Sequence, residues 1–268
     1  MIDLMVLRHM SERTIEAYIR HLKQLARHYG RCPSSLSSKE VEAYLVYLSR
    51  ERGLACNTIN VAAMAARFLF REVLGRSEEE FHLPRRKSEK HLPLILSLEE
   101  AQRLLNAPDR VKPRAILHTI YGCGLRLGEV VRLRLLDVES AHMRVRVEQS
   151  KGRKDRYTVL PQSTLRLLRE YYRAERPREW LFNGRVRGEP ISPRAIQVIY
   201  AQARKKAGIR RGCGVHTLRH CFASHHLALG TDLRILQEML GHRHLSTTEV
   251  YLHVMPRRWG MLRSPADA

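Results

Sequence analysis

Apolar side chains recur at helical spacing through the first 75 residues of the chain. Leu22 and Leu25 share an apolar face in a stretch that stops at Gly30, which predicts an amphipathic helix. Further helices are predicted over 38–52 and 58–74. The last of these is small and apolar along AAMAARFLF, as in a helix buried on several sides. These patterns predict an N-terminal helical bundle.

The rest of the chain combines helical patterns with one pair of strands. The stretches 143–149 and 156–161 alternate apolar and polar residues around the turn SKGRKD, which predicts a β-hairpin with a basic tip. Helices are predicted over the other periodic stretches: 98–106, 112–121, a helix from Leu127, 163–174, 193–207, 216–229, 232–240 and 246–254. Capping boxes, in which a serine precedes a glutamate by three positions, mark three helix starts: Ser37 with Glu40, Ser97 with Glu100, and Ser246 with Glu249. The predicted fold class is α+β, mostly helical.

A short basic stretch separates the two patterns. LPRRKSEKHLP, at 83–93, has two prolines, four basic residues and no periodicity, which is typical of an exposed linker. The sequence therefore predicts one domain at 1–83 and a second at 96–268, joined by a linker at 84–95.

The excess of basic residues lies mainly in the second predicted domain. The formal net charge is +21. Residues 1–80 carry 12 basic and 10 acidic side chains, whereas 96–268 carry 32 and 16. An arginine-rich genome would also give a basic surface, but an excess this large favours a polyanionic partner, and nucleic acid fits best. The linker then either lies against phosphates or is a solvated spacer. No apolar run approaches the roughly 18 residues of a membrane span, so no membrane partner is predicted.

The cysteines do not form a disulfide framework. They are odd in number and contain no CxxC pair: Cys32, Cys56, Cys123, Cys213 and Cys221. This favours a reducing cytoplasm. A zinc site made of Cys213, His216, His220 and Cys221 is an alternative, because closely paired histidines are common zinc ligands. Arg219 would place a cation against such a metal, so no metal is predicted.

Five short motifs contain the candidate chemistry: GCGLRLGE (122–129), SKGRKDR (150–156), HTLRH (216–220), LGH (240–242) and STTEVY (246–251). Together they resemble the active-site signature of the tyrosine recombinases, the phage integrase family, and the resemblance covers nearly the whole chain. That family places its tyrosine nine residues after the LGH histidine, and Tyr251 follows His242 at this spacing. A lone tyrosine on a helix is usually a packing residue, but the resemblance implies that Tyr251 is the nucleophile.

The resemblance also implies which cations would act on a phosphate. Arg126 and Arg219 match the family's two arginines, whose planar guanidinium can meet two phosphate oxygens and stays charged at any working pH. Glu129 matches the acidic residue that supports the first arginine, although it could also be a surface charge on a helix. Lys151 matches the lysine that protonates the leaving 5′ oxygen as a general acid. Lys154, on the same basic loop, is its competitor.

Three polar residues of HTLRH share one helix face through their i, i+3, i+4 spacing. His216 resembles the family's first histidine, which takes the tyrosine proton or donates to the phosphate. His242 resembles the second, a donor to a non-bridging oxygen. His220 resembles a structural buttress and is left outside the set. The predicted catalytic residues are Arg126, Lys151, His216, Arg219, His242 and Tyr251.

The resemblance also implies the roles of the two domains, the reaction and the assembly on DNA. It implies a SAM-like, core-binding N-terminal domain and a catalytic C-terminal domain that clamp duplex DNA. It implies a site-specific recombinase that forms a 3′-phosphotyrosyl link without metal or cofactor, as a dimer on one site and a tetramer in synapsis. The expected location is the cytoplasm, at the nucleoid. A type IB-like topoisomerase or resolvase, and a noncatalytic DNA-binding protein of the same fold, are the alternatives.

Overall fold

The computed structural model describes residues 1–77, 93–148, 155–186, 188–212 and 214–252. Its contacts divide the chain into two units, Met1–His91 and Leu92–Ala268. Most of the predicted linker 84–95 and all of the predicted hairpin tip except Asp155 lie outside the described residues. None of the described helices combines the length and the apolar character of a membrane-crossing segment.

The first unit is helical in its described part. Its helices are α1 (Ile2–Leu7), α2 (Glu12–Tyr29), α3 (Ser38–Arg50) and α4 (Cys56–Arg67). Helices α2 and α3 pack against α4, and apolar residues such as Leu25, Leu45 and Ile59 form the core. The predicted bundle is thus confirmed. The stretch predicted as one helix over 58–74 changes winding at Phe68, where a π-helical segment runs to Val73. Helix α1 was not predicted.

The second unit contains the remaining elements of the described chain. Its helices are α5 (Leu98–Asn106), α6 (Val111–Gly122), α7 (Leu127–Val131), α8 (Gln162–Glu175), α9 (Pro193–Lys206), α10 (His216–Ala228), α11 (Leu233–Leu240) and α12 (Ser246–Glu249). Its strands are β1 (Val138–Glu139), β2 (Arg144–Val147) and β3 (Arg156–Val159). Helix α6 packs against α8, α9 and α10, and β3 packs against α11. The mostly helical α+β prediction is confirmed.

The strands form one antiparallel sheet in the order β1-β2-β3. Val145 pairs with Thr158, and both are buried. The strand pair β2–β3 is the predicted hairpin. Strand β1 was missed because two residues are too few to show an alternating pattern.

Two of the three predicted capping boxes form, and the third does not. Ser37 with Glu40 and Ser97 with Glu100 exchange both hydrogen bonds. The prediction for Ser246 with Glu249 is wrong, because α12 has no side-chain cap. Leu245 before it is already helical (φ −58°, ψ −36°). The first amides of α12 bond to backbone carbonyls of the preceding turn, so none is left for the serine to cap.

Glycine is required where α6 ends. Gly124 has φ +62°, and a Cβ there would lie 2.5 Å from a ring carbon of Phe222 on α10. The missing side chain lets the α6–α7 junction approach α10 closely. The motif GCGLRLGE therefore brings the backbone before Arg126 against the helix that carries Arg219.

Candidate active site

Helix α10 brings three sequence-predicted polar residues together. His216, Arg219 and His220 lie on one face, as their spacing predicts. Arg219 is 1% exposed, whereas His220 is half-buried and His216 is exposed. The opposite face is apolar and packs into the cores through Leu218 and Phe222. The helix therefore carries a charged group into the interior, where it needs polar partners.

The Arg219 guanidinium donates hydrogen bonds to backbone carbonyls from two separate segments. Nη1 donates to the Gly124 carbonyl at 2.7 Å, and Nη2 donates to the Leu240 carbonyl at 2.5 Å. Nη2 also lies 3.2 Å from Nε2 of His242. Burial, followed by the nearby Arg126, lowers the pKa of Arg219 to about 9. It therefore remains charged at neutral pH.

Arg126 stands at the N-terminus of α7 and pairs with Glu129 one turn later. Its backbone amide donates to Oε2 of Glu129 at 2.7 Å, and its Nη1 donates to Oε1 at 2.8 Å. Nη2 lies 3.4 Å from the Gly241 carbonyl. The side chain is 31% exposed. Arg126 is thus held by protein contacts while part of its guanidinium faces solvent.

Glu129 collects three arginines around one buried carboxylate. Arg156 meets it through two parallel hydrogen bonds of 2.9 and 2.8 Å, and Arg219 lies at 3.6 Å. Burial alone would raise the pKa of Glu129, but Arg156, then the Arg126 amide and the Arg219 charge, lower it to about 2. The carboxylate is therefore ionised at any working pH. Its predicted support of Arg126 is one part of a larger network.

Arg156 is a residue that sequence reasoning missed. It is 8% exposed, and its Nε donates to the Met239 carbonyl at 2.9 Å. In the sequence it is one of several cations in SKGRKDR. The available signal was its position in the strand, since Arg156 and Thr158 share a strand face and both are buried. An arginine on the inward face of a strand needs a buried anion.

His242 follows Gly241, which ends α11 in the left-handed region with φ +63°. Its Nδ1 lies 2.9 Å from the Thr248 hydroxyl, and its Nε2 lies 3.2 Å from Arg219. Burial, then Arg219 and Arg126, lower the pKa of His242 to about 3. A guanidinium can only donate, so Nε2 accepts and Nδ1 carries the proton. For Nε2 to donate to a phosphate, His242 would have to give up its bond from Arg219 and carry a proton on Nε2.

Tyr251 is buried at 4% exposure, just beyond α12. Its ring packs in an apolar cluster with Phe222, Leu236 and Leu240. Its hydroxyl lies 2.9 Å from Nδ1 of His220. Burial raises the pKa of Tyr251, and Arg219 and Arg126 oppose that rise. The residue left out of the predicted set is thus the one bonded to the predicted nucleophile.

His216 lies at the exposed edge of the cluster. Its ring centre is 5.3 Å from that of His220, with the rings nearly perpendicular. Partial desolvation, then Arg219 and Arg126, lower its pKa. In the described part of the chain, the hydrogen-bond partner of the Tyr251 hydroxyl is His220 and not His216.

The structure thus brings five of the six predicted site residues into one region of the second unit: Arg126, His216, Arg219, His242 and Tyr251. Lys151 and its competitor Lys154 lie outside the described residues. The strands that flank them, β2 and β3, are described, and β3 begins with the buried Arg156. The role of Lys151 stays a prediction.

The residues of the zinc alternative have other partners. The Cys221 thiol is buried, accepts from the Leu96 amide at 3.2 Å, and has its pKa raised by burial to about 11. His220 bonds to Tyr251, and Cys213 lies outside the described residues. Among the described residues, no group of three or more histidine, cysteine or acidic side chains is placed to hold a metal ion.

Two family models match the chain in consecutive segments. The model described as the phage integrase family matches residues 95–258. The model described as the phage integrase N-terminal SAM-like domain matches residues 1–80. The chain belongs to the phage integrase family.

Relatives of known name support this membership over nearly the full length. A protein of Sinorhizobium fredii named as an integrase/recombinase is 41% identical over 264 residues, covering 98% of this chain and 86% of that protein. The tyrosine recombinase XerD of Halalkalibacterium halodurans is 34% identical, covering 94% of this chain and 90% of that protein. This phage integrase family member is therefore a tyrosine-type site-specific recombinase.

A solved structure shows the same fold. The crystal structure of a lambda integrase tetramer bound to a Holliday junction superimposes with a TM-score of 0.74 at 18% identity. The match covers 92% of this chain and 74% of that chain. The arrangement of helices and the small sheet is thus that of phage integrase family proteins.

Proposed function

We propose that this recombinase cleaves and rejoins DNA strands with Tyr251 as the nucleophile. The observation that carries the proposal is the placement of the Tyr251 hydroxyl, which is bonded to a histidine of the helix that carries Arg219. Attack of Oη on a backbone phosphate gives a 3′-phosphotyrosyl link and a free 5′ hydroxyl. The hydroxyl of a partner strand then attacks that link, so the energy of the phosphodiester bond is kept in the covalent intermediate.

Arg126 and Arg219 supply positive charge to the phosphate. Arg126 is partly exposed and has donors available for non-bridging oxygens. Arg219 already donates to two carbonyls, so it contributes mainly its fixed charge. Charge that develops on phosphorus is stabilised most by such preplaced groups. Glu129 and Arg156 hold both arginines in position.

Lys151 protonates the leaving 5′ oxygen in this mechanism. The role follows from its place in the KGxKxR turn of the sequence. A lysine at the tip of the hairpin predicted from the sequence can reach a leaving group beyond Arg126 and Arg219. A well-placed general acid accelerates such a step by roughly 10²–10⁴.

The proposed reaction uses neither a metal ion nor a cofactor. Two guanidinium groups supply the positive charge that metal ions supply in many nucleases. No redox step or nucleotide hydrolysis is needed, because one phosphodiester is exchanged for another. The six proposed catalytic residues are Arg126, Lys151, His216, Arg219, His242 and Tyr251.

The proposed partner is double-stranded DNA that contains recombination sites. Support comes from the excess of basic residues in 96–268 and from the lambda integrase structure, a tetramer on a Holliday junction. We infer a dimer on one site and a tetramer in synapsis. The cytoplasm, at the nucleoid, is the proposed location because it holds such DNA.

A topoisomerase-like reaction would use the same chemistry on one duplex. Family membership favours recombination over it. Plasmids with two copies of a target site separate the two reactions. Recombination produces deletions or inversions, whereas relaxation changes only the linking number.

The replacement Tyr251→Phe tests the proposal, because only the phenolic oxygen is lost. A nicked substrate that loses its 5′ fragment traps the covalent adduct, which is scored on a denaturing gel. We expect an adduct with the unaltered protein and none with the variant, at equal DNA binding in a mobility-shift assay. Adduct at an undiminished yield in the variant would remove Tyr251 from the mechanism.

A further inference from the structure

The hydroxyl of Tyr251 has a specific partner that the predicted catalytic set omits. Nδ1 of His220 lies 2.9 Å from Oη of Tyr251, and the ring centres are 5.7 Å apart. His216, the residue expected to take the tyrosine proton, lies one turn earlier with its ring 5.3 Å from that of His220. The contact with the reacting atom therefore belongs to the second histidine of HTLRH.

The fold holds this contact from both sides. The Tyr251 ring packs in the apolar cluster with Phe222 and Leu236, which fixes the direction of the hydroxyl. His220 is carried by α10 next to the buried Arg219, whose carbonyl contacts anchor that part of the helix. Both partners are thus positioned by packing and not by the hydrogen bond alone.

The protonation states at rest fit an acceptor role for the imidazole. Burial, then the nearby His216 and Arg219, lower the pKa of His220 to about 4, so the ring is neutral at neutral pH. Burial raises the pKa of Tyr251, so the phenol keeps its proton. A neutral imidazole has one acceptor nitrogen and a phenol has one donor. The Tyr251 hydroxyl can therefore donate to Nδ1, with the ring proton on Nε2.

Resting on the function proposed above, we propose that His220 is a catalytic residue that accepts the Tyr251 proton during strand cleavage and returns it during rejoining. In cleavage, the Oη–P bond forms, the P–O5′ bond breaks, and the phenolic proton moves to Nδ1 while O5′ receives a proton from Lys151. In rejoining, a 5′ hydroxyl attacks phosphorus and gives its proton to the neutral amine of Lys151, so the P–O5′ bond forms. The Oη–P bond breaks, and the departing Tyr251 oxygen regains its proton from Nδ1.

Coupling to bond formation makes this transfer feasible. A resting phenol would not ionise onto so weak a base. As Oη bonds to phosphorus, however, it becomes the oxygen of an aryl phosphate ester. The proton that it still carries then becomes strongly acidic. The anionic phosphate also favours a cationic imidazole nearby. His220 then acts in the transition state, where a general base contributes.

The first test replaces His220 with asparagine or glutamine, which keep a polar side chain but cannot take up a proton. We expect adduct formation at saturating DNA to slow by roughly 10²–10⁴, the usual contribution of a general base, with DNA binding unchanged. A deficit of less than threefold in either folded variant would overturn the proposal.

The second test separates proton transfer from positioning. Fluorinated tyrosine at position 251 makes the phenol more acidic, which reduces its need for a base. We expect the deficit of His220→Asn to shrink progressively as fluorine atoms are added. An equal deficit with tyrosine and fluorotyrosine would show that His220 only positions the ring, and would overturn the proposal.

A second histidine–tyrosine pair, with its histidine on α10 and its tyrosine on α6, serves as the control. Nδ1 of His225 lies 2.8 Å from the Tyr121 hydroxyl, away from the reacting atom. With His225→Asn, the rate of adduct formation should respond to fluorotyrosine at position 251 as it does in the unaltered protein. His216→Asn tests the competing assignment. If its rate deficit shrank with fluorotyrosine while His220→Asn showed no such deficit, the proton acceptor would be His216.

The unaltered protein offers a test that needs no stable variant. In a ¹⁵N-histidine spectrum of the free protein, Nδ1 of His220 should show the shift of an unprotonated nitrogen. A protonated Nδ1 would overturn the proposal, because it could not accept. The Tyr251→Phe experiment keeps the two proposals apart. Adduct without Tyr251 defeats the proposed function, whereas normal chemistry in His220 variants defeats only this inference.

Discussion

Arg156 and Glu129 face each other through two parallel hydrogen bonds of 2.9 and 2.8 Å, and both side chains are less than 10% exposed. One residue begins a strand and the other belongs to α7. Their ion pair ties the sheet to the segment that carries Arg126. The site thus depends on a charge pair that would not itself touch the substrate in the proposed mechanism.

Breaking this pair should destabilise the second unit strongly. We expect Arg156→Met to lower the free energy of unfolding by about 3–5 kcal/mol, because it leaves a buried carboxylate without its main partner. The double variant Glu129→Gln with Arg156→Met should lose less than the sum of the two single changes. Urea unfolding measures both quantities.

An exposed pair provides the control for that measurement. Lys206 and Asp109 lie 2.5 Å apart on the surface, at 53% and 89% exposure. Lys206→Met should change the free energy of unfolding by no more than about 1 kcal/mol. Equal effects of the two substitutions would show that the Glu129 network does not stabilise the fold.

Gly124→Ala should disturb both the fold and the site. A left-handed alanine costs about 1–2 kcal/mol, and crowding against Phe222 adds about 1–3 kcal/mol. Gly208→Ala is the matched control, because Gly208 has φ +69° with nothing within 4 Å of an added Cβ. We expect Gly208→Ala to lose only the stability that corresponds to the backbone strain. Similar thermal unfolding midpoints for the two would contradict the close approach to α10.

Stability should fall as the pH is lowered below 6.5, because two half-buried histidines stay neutral in the folded state. The folded pKa values of His220 and His242 are lowered from 6.5 to about 4 and about 3. Between those values and 6.5 the unfolded chain binds more protons, so acid favours unfolding. Urea unfolding from about pH 7 to about pH 5 measures how the free energy of unfolding changes with pH. The replacement His242→Asn should make that change smaller. A flat profile in the unaltered protein would contradict the neutral state of the two folded imidazoles.

Lys151 should be distinguishable from a simple phosphate contact. We expect Lys151→Ala to slow cleavage at saturating DNA, with binding nearly intact. Replacing the 5′ bridging oxygen with sulfur should restore the rate, since a thiolate leaves without a proton. Lys154→Ala, which removes the same charge from the same sequence motif, should need no rescue. The reverse pattern would assign the general acid to Lys154.

Chelation should leave cleavage unchanged. The proposed mechanism places two guanidinium groups and a lysine where nucleases use metal ions. Excess EDTA in the adduct assay should therefore not alter the rate. Activity that is lost and then returns with zinc or magnesium would favour a metal site and require a different mechanism.

The sequence alone was sufficient for features that depend on neighbouring residues. Helical periodicity and the capping boxes at Ser37 and Ser97 predicted elements that the structure confirms. The resemblance rested on motifs such as HTLRH, each contained within a few residues. Local spacing is sufficient there because backbone hydrogen bonds and side-chain faces repeat over three or four residues.

Only the tertiary structure decided which groups meet. Glu129 and Arg156 are 27 residues apart in the chain, and His220 and Tyr251 are 31 apart. The strand pattern can place Arg156 on an inward face, but no local pattern identifies Glu129 as its partner. Nor does any local pattern distinguish His220 from His216 as the partner of the nucleophile. The same holds for the proton on His242, which is set by Arg219 and Thr248. These contacts arise because packing brings α7, β3, α10 and the segment after α11 around one buried carboxylate and one buried hydroxyl, and chain spacing does not encode that convergence.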